Sequence, residues 1–278
     1  MVQDVVRLYW PIGLTKSLPG RTDQGELLDE SLSAYTHHIM GENVQVTIGW
    51  LKKTTSHLTS IYLGMLNDVY VVSDILEAER NGHHGAVVGG HWDPGLFAAR
   101  EAAGIPVAGP GESAMMLAGT LGRKFAMLTV HDGYVPVIEN NMRVYGLESR
   151  AIARRPVRRF GGSVQENYGA LMRCIEGKDD QFLTAFEKTA RECVEDGADV
   201  IIAGGQLFGP AFQRHSFFKV PNTGVPVLEV TACGLKMAET LVNLRRYAGI
   251  AKSEAPTSHF RTPPRDVVEC VLTEFGVT

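Results

Sequence analysis

Two segments of the chain match at an offset of 120 residues, and that repeat confines the fold to two similar halves. Gly104-Ile105-Pro106-Val107 is answered by Gly224-Val225-Pro226-Val227, and Leu117-Ala118-Gly119-Thr120-Leu121 by Met237-Ala238-Glu239-Thr240-Leu241. Upstream of each lies an apolar run ending in two glycines, Ala86-Val87-Val88-Gly89-Gly90 and Val200-Ile201-Ile202-Ala203-Gly204-Gly205. A short apolar run of this kind reads as a buried strand, and glycines at its C-terminal end let another group approach the backbone. Two such ends facing one another make a cleft, so each half is expected to contribute one edge to a shared site.

The length of 278 residues suits two domains of ordinary size. Short apolar runs alternate with longer amphipathic segments, which predicts an α/β fold: two pseudo-symmetric domains, each a parallel sheet flanked by helices. Strands are expected at 5–10 (broken by Pro11 and Gly13), 44–50, 85–89, 105–108, 124–130, 200–203 and 225–230. Helices are expected at 61–80, 94–103, 112–121, 135–145, 165–175, 180–196, 234–247 and 265–275. Asp93 and Pro94 read as the N-cap and first position of the second of these. The first half spans 1–113, with the C-terminal helices 234–278 packing back on it, and the second spans 114–233. Residues 251–264, rich in Ser, Pro and Thr, form a strap.

A formal charge of −4 gives no electrostatic reason to expect nucleic acid or an anionic membrane as partner. No run approaches the roughly 18 apolar residues of a membrane span, and residues 1–20 lack the pattern of a signal peptide. Cys174, Cys193, Cys233 and Cys270 show neither CxxC spacing nor the density of a disulfide framework, so reduced thiols in a cytoplasmic protein are expected. His83, His84, His91, His131 and His215 do not have metal-ligand spacing, and Gly109-Pro110-Gly111 is neither GxGxxG nor a P-loop. No metal and no cofactor are expected.

The block Gly89-Gly90-His91-Trp92-Asp93-Pro94-Gly95-Leu96, continuing to Gly109-Pro110-Gly111-Glu112-Ser113-Ala114-Met115, resembles the aspartate/glutamate/hydantoin racemase superfamily, and most closely its hydantoin and allantoin racemase branch. Gly197-Ala198-Asp199-Val200-Ile201-Ile202-Ala203-Gly204-Gly205 and Gly224-Val225-Pro226-Val227 fit the second half of that family. The resemblance is best over residues 80–245. It implies an active site between two pseudo-symmetric domains, and a homo-oligomer.

The resemblance also marks a departure. Racemising members of the superfamily carry a cysteine at the end of each half's strand, the two acting as acid and base on opposite faces of the substrate carbon; those positions here are Gly90 and Gly205. Proton transfer must then fall to other groups. His91, next to Gly90, either moves protons near neutral pH or serves only the turn. His131, in Thr129-Val130-His131-Asp132, stands where the related arylmalonate decarboxylases carry a substrate-binding tyrosine. Thr129 and Pro11, at strand ends, join Gly90 and Gly205 as candidate lining. Gln206 is placed to donate to a substrate oxygen, and the amides of His91 and Gln206 to form an anion hole. Glu112 either orients a histidine or favours a helix start. Trp92 and Trp10 are candidate walls for a ring-shaped substrate, Trp10 alternatively a core aromatic. Cys233 reads as a buried filler.

These readings converge on an enzyme acting on a small carboxylate or cyclic amide by cysteine-independent proton transfer next to a carbonyl, with a lyase- or isomerase-type outcome. The alternatives are a hydrolase that opens a cyclic amide through a histidine-activated water, and a catalytically silent small-molecule-binding homologue.

Overall fold

The computed structural model describes residues 5–14, 22–55 and 57–277. The first half runs β1 (Val6–Ile12), α1 (Thr22–Met40), β2 (Val44–Trp50), α2 (Ile61–Arg80), β3 (Gly85–Val87), α3 (Leu96–Ala102) and β4 (Val107–Ala108). Its sheet has the order β2-β1-β3-β4 with every pair parallel. The chain continues through α4 (Pro110–Leu121), β5 (Phe125–Thr129), a 3-10 turn at Asp132–Tyr134, α5 (Val135–Val144), β6 (Val157–Arg159), α6 (Val164–Glu176), α7 (Gln181–Glu195), β7 (Val200–Ala203), α8 (Gly209–Arg214) and β8 (Val227–Glu229). The second sheet repeats the arrangement as β6-β5-β7-β8, again parallel. Helices α9 (Val230–Ala248) and α10 (Arg265–Glu274) close the chain.

Alternation along β1 explains its placement. Val6, Leu8, Trp10 and Ile12 point to one face and are buried with Leu28 and Leu32 of α1 and Leu235, Ala238 and Val242 of α9. Each fully buried aliphatic or aromatic side chain there contributes about 1.5–3 kcal/mol relative to exposure. The strand does not break at Pro11, as the sequence suggested, but runs on to Ile12. Val6 N–H bonds to Asn43 O on the β2 side, so alternate residues, Pro11 among them, turn their N–H toward β3. The β3 ladder has already ended at Tyr9, and the missing N–H costs no strand bond.

Two helices exchange sheets. α4 leaves the end of the first sheet and buries Ala114, Met115 and Ala118 among Phe125, Met127, Val200 and Ile202 of the second. α9 leaves the end of the second sheet and packs on β1, β3 and β4 of the first. The two helices also pack on one another, closely enough that a Cβ on Gly234 would lie 3.0 Å from Pro110 Cα.

Three further sequence expectations are corrected. α3 begins at Leu96 rather than Pro94, with Gly95 in the left-handed region at its N-cap, and Asp93 serves another helix altogether. α4 and α9 begin at Pro110 and Val230, earlier than the apolar periodicity indicated. α1, β6 and α8 were not anticipated. Among the described residues no helix is long and apolar enough to cross a membrane.

Candidate active site

The ends of β3 and β7 are built alike. A turn closes after each, with Asp93 N–H donating to Gly90 O and Phe208 N–H to Gly205 O, both at 3.1 Å. His91 and Gln206, 115 residues apart, therefore occupy the same place in the two turns. The strand ends also meet: His91 Nε2 lies 2.9 Å from the Thr129 hydroxyl at the end of β5, and a Cβ on Gly204 would lie 3.2 Å from the His91 ring. The ends of β3, β5 and β7 thus bring Gly90, His91, Thr129, Gly204 and Gly205 together, all of them buried.

Both strand-end glycines are required by what surrounds them. Gly90 has φ +111°, which a side chain rarely adopts, and its Cβ would approach the Trp92 ring to 2.9 Å. At Gly205 a Cβ would fall 2.1 Å from the Phe208 ring. Phe208 is buried in an aromatic cluster, 4.9 Å from Phe182 and 5.8 Å from Phe160 between ring centres, and has little freedom to yield. No cysteine stands at either strand end. Cys233 is buried near Glu229, and burial pushes its thiol up to about 12, leaving it protonated and unreactive.

His91 is 4 % exposed, and burial lowers its pKa to about 3. It stands as a neutral imidazole in the free protein, not as the readily titrating group expected from the sequence. Around it lie Trp92 and Tyr134, stacked at 4.6 Å, with Tyr134 4.8 Å from the imidazole. Asn141 Nδ2 donates to Trp92 O and fixes that turn. Tyr134 was not anticipated; it belongs to the turn that follows His131, and burial holds its hydroxyl protonated. His131 accepts from Gly133 N–H through Nδ1, capping this turn, and its ring is 6.2 Å from Tyr134. The turn touches the other half: a Cβ on Gly133 would fall 2.6 Å from Thr59 Cβ, in the segment before α2.

Two buried carboxylates hold the starts of the helices α4 and α9. Asp93 accepts from Gly111 N–H and Glu112 N–H at the start of α4, at 2.8 and 2.7 Å, and from the Tyr145 hydroxyl at 2.8 Å. Glu229 accepts from Thr231 N–H and Ala232 N–H at the start of α9, both at 2.9 Å, and from the Tyr35 hydroxyl at 2.8 Å. The donors 111 and 231, and 112 and 232, are 120 residues apart, the offset of the sequence repeat. Burial raises both carboxyls to about 7. Tyr35 and Tyr145 escaped the sequence reading because their partners are remote in the chain, and Glu229 because the apolar periodicity placed the start of α9 at 234.

Other expected lining residues separate. Gln206 is buried with its carbonyl accepting from the Thr231 hydroxyl, and its Oε1 has no partner among the described residues. Pro11 is buried beside the end of β3, its carbonyl pressed against Gly89. Trp10 points into the core shared by α1 and α9 and does not line the cleft. Of the two readings of Glu112, the helix start holds: it lies in the first turn of α4, and with both carboxylate oxygens taken by Arg100 it does not orient a histidine.

Two parallel four-stranded sheets of the same order, with matching turns at their strand ends, define a duplicated α/β fold. The family profile described as Asp/Glu/Hydantoin racemase matches residues 30–238, and the chain belongs to that family. It is 29 % identical over 227 residues to the hydantoin racemase of Pseudomonas sp. (strain NS671), covering 81 % of this chain and 82 % of that one. To the hydantoin racemase of Rhizobium meliloti it is 30 % identical over 187 residues, 67 % and 70 % of the two chains. Among solved structures, allantoin racemase from Pseudomonas fluorescens superposes with a TM-score of 0.73 at 22 % identity, over 93 % of this chain and 97 % of that one. Structural neighbours also include an arylmalonate decarboxylase variant, over 86 % of this chain and 93 % of that one, and the maleate isomerase from Pseudomonas putida S16, over 85 % and 92 %. Both have TM-scores of 0.56, at 15 % and 12 % identity.

Proposed function

We propose that the chain is a cofactor-independent isomerase or lyase that moves a proton on the carbon next to a carbonyl in a small cyclic amide or carboxylate. The curated relatives being hydantoin racemases, a cyclic ureide is the first substrate class to test. The observation that carries the reading is His91, set between the two strand ends with Nε2 on Thr129. A neutral imidazole can accept the proton. The imidazolium so formed is disfavoured by burial, and the enolate charge developing beside it offsets that penalty within the same step. His131 at the facing turn holds the substrate or returns the proton.

The test is exchange of the C5 hydrogen of 5-benzylhydantoin and allantoin in D₂O, followed by NMR, alongside decarboxylation of phenylmalonate. Exchange that is abolished in His91→Asn with an intact fold supports the reading. Ligand binding without exchange or turnover sinks it and favours the silent homologue, a reading to which the fully buried His91 and the filled strand ends lend support. A cytoplasmic setting fits the free cysteines, three of them buried. A homo-oligomer fits the exposed apolar residues Ile61, Tyr62, Met65 and Leu66 on α2 and Met116 and Leu121 on α4, and light scattering of the purified chain tests it.

A further inference from the structure

A groove on the second half gathers positive charge. It has a volume of about 400 Å³ and is lined by Arg155, Arg158 and Arg159, in and beside β6, and by Lys188 and Glu192 of α7. β6 is the outer strand of its sheet, so the groove stands at the open edge of that sheet. α7 turns one face to it: Ala185, Lys188, Thr189 and Glu192 follow helical spacing, while Phe182, Phe186, Ala190 and Cys193 are buried on another.

The local chain holds this charge in place. Arg158, its side chain 5 % exposed, is ion-paired with Asp196 and donates to the Arg154 and Arg155 carbonyls, both at 3.0 Å. Those two bonds brace the turn in which Arg155 adopts a φ of +46°, a left-handed conformation uncommon for a long side chain. Arg159 is answered by Asp132 at 3.4 Å, but Asp132 is 79 % exposed and a pair of this kind is weak. The side chains of Arg155 and Lys188 have neither a hydrogen bond nor an ion pair among the described residues. Glu192, the one acid of the lining, lies 4.0 Å from Arg158. Four cations thus face one carboxylate, in a chain whose formal charge is −4. Like charges gathered in a concave wall repel one another and focus a positive potential, and a bound anion relieves both.

We propose that this groove binds a small polyanion, a molecule bearing two or more phosphate or carboxylate groups. Arg155 beside β6 and Lys188 on α7 supply the free cations, one a guanidinium that forks onto two oxygens and the other a point charge. Arg159 joins them by leaving Asp132. Arg158, already engaged by Asp196 and two carbonyls, is the positioning residue. A single negative charge leaves one of the two free cations unanswered, so the groove favours a polyanion over a monoanion. The proposal is independent of the function assigned to the strand ends, because none of the residues gathered there lines the groove.

Pyrophosphate, citrate and, as the monoanion, acetate are titrated into the full chain at low ionic strength by calorimetry. The expected result is saturable binding of one equivalent of pyrophosphate, citrate or both, and weaker binding of acetate. Affinity is expected to fall about tenfold in Arg155→Gln and in Lys188→Gln, as for the loss of one charge-assisted hydrogen bond. It is expected to be unaltered in Lys236→Gln, which removes a surface charge from α9 outside the groove. Which polyanion binds tells a phosphate ligand from a carboxylate one. Lys188 is exposed on its helix and Gln is a comparable helix former, so Lys188→Gln keeps the fold and decides the matter by itself should Arg155→Gln unfold. No saturable binding of either polyanion overturns the proposal. So does binding that Lys188→Gln leaves unchanged, or that Lys236→Gln weakens equally, or acetate binding as tight as that of the polyanions.

Discussion

His91, from the first half of the chain, and Thr129, from the second, share a hydrogen bond of 2.9 Å at the meeting of the two strand ends. Thr129 is fully buried, so removing its hydroxyl leaves the imidazole nitrogen without a partner. Thr129→Val is therefore expected to lower stability by about 1–3 kcal/mol and to reduce kcat. His91→Asn is expected to cost about 10²- to 10⁴-fold in kcat, the usual range for a general acid or base. Near-normal kcat in His91→Asn with a lowered Tm would reduce this histidine to a structural residue.

Introducing a thiol at Gly205 is expected to harm the protein. The Cβ of Gly205→Cys would meet the Phe208 ring at 2.1 Å, and such overpacking costs about 1–3 kcal/mol. Combining it with Phe208→Ala relieves the clash, so the double variant should melt above the sum of the two single losses. Strict additivity in urea denaturation would show that ring and thiol do not meet.

Alkylation should leave activity intact. Cys174, Cys193 and Cys233 are buried and Cys270 alone is exposed, on α10, away from the cleft. One equivalent of iodoacetamide incorporated at Cys270 with undiminished turnover is the expected result, and inactivation that tracks modification of Cys233 would contradict it.

Stability should fall as pH rises through neutrality. Asp93 and Glu229 have folded pKa values raised to about 7, so the folded chain holds their protons more tightly than the unfolded chain. Their contribution is full below the usual carboxylate range near pH 4, and is lost progressively as pH rises through 7, by on the order of 3 kcal/mol per group. In the Asp93→Asn, Glu229→Gln double variant this dependence is expected to flatten. Asn tolerates the left-handed φ of +55° at position 93 as well as Asp does. Parallel urea midpoints at pH 5 and pH 8 in variant and wild type decide it; equal pH slopes would sink the assignment.

What the sequence displayed was whatever depends on near neighbours and on the repeat. The two Gly-Gly strand ends, the parallel α/β layers and the placing of His91 beside Gly90 all follow from local pattern. Asp93 shows the limit. Asp-Pro-Gly has the composition of a helix start, yet the carboxylate reaches the helix 18 residues on, because the left-handed backbone at 93 turns the side chain toward Gly111 rather than Leu96. The Glu229–Tyr35 bond spans 194 residues, and no local pattern announces it. β6 escaped because two of its three residues are arginines, an edge strand with no apolar run. The burial that makes His91 neutral is likewise a tertiary property, set by Trp92 and Tyr134 closing over the ring.

The exchange of α4 and α9 between sheets makes each half dependent on a part that the other half launches. Severing the chain between β4 and α4 would release a first fragment without the helix that covers β1 and β3, and a second carrying a helix whose apolar face has lost its sheet. Neither piece is a self-sufficient folding unit, although the sequence reads as a tandem duplication. The molecule is thus fastened like clasped hands, and melting is expected to proceed in one cooperative step rather than half by half. The same fastening ties the relative setting of the two strand ends, and with it the His91–Thr129 contact, to the integrity of the whole chain.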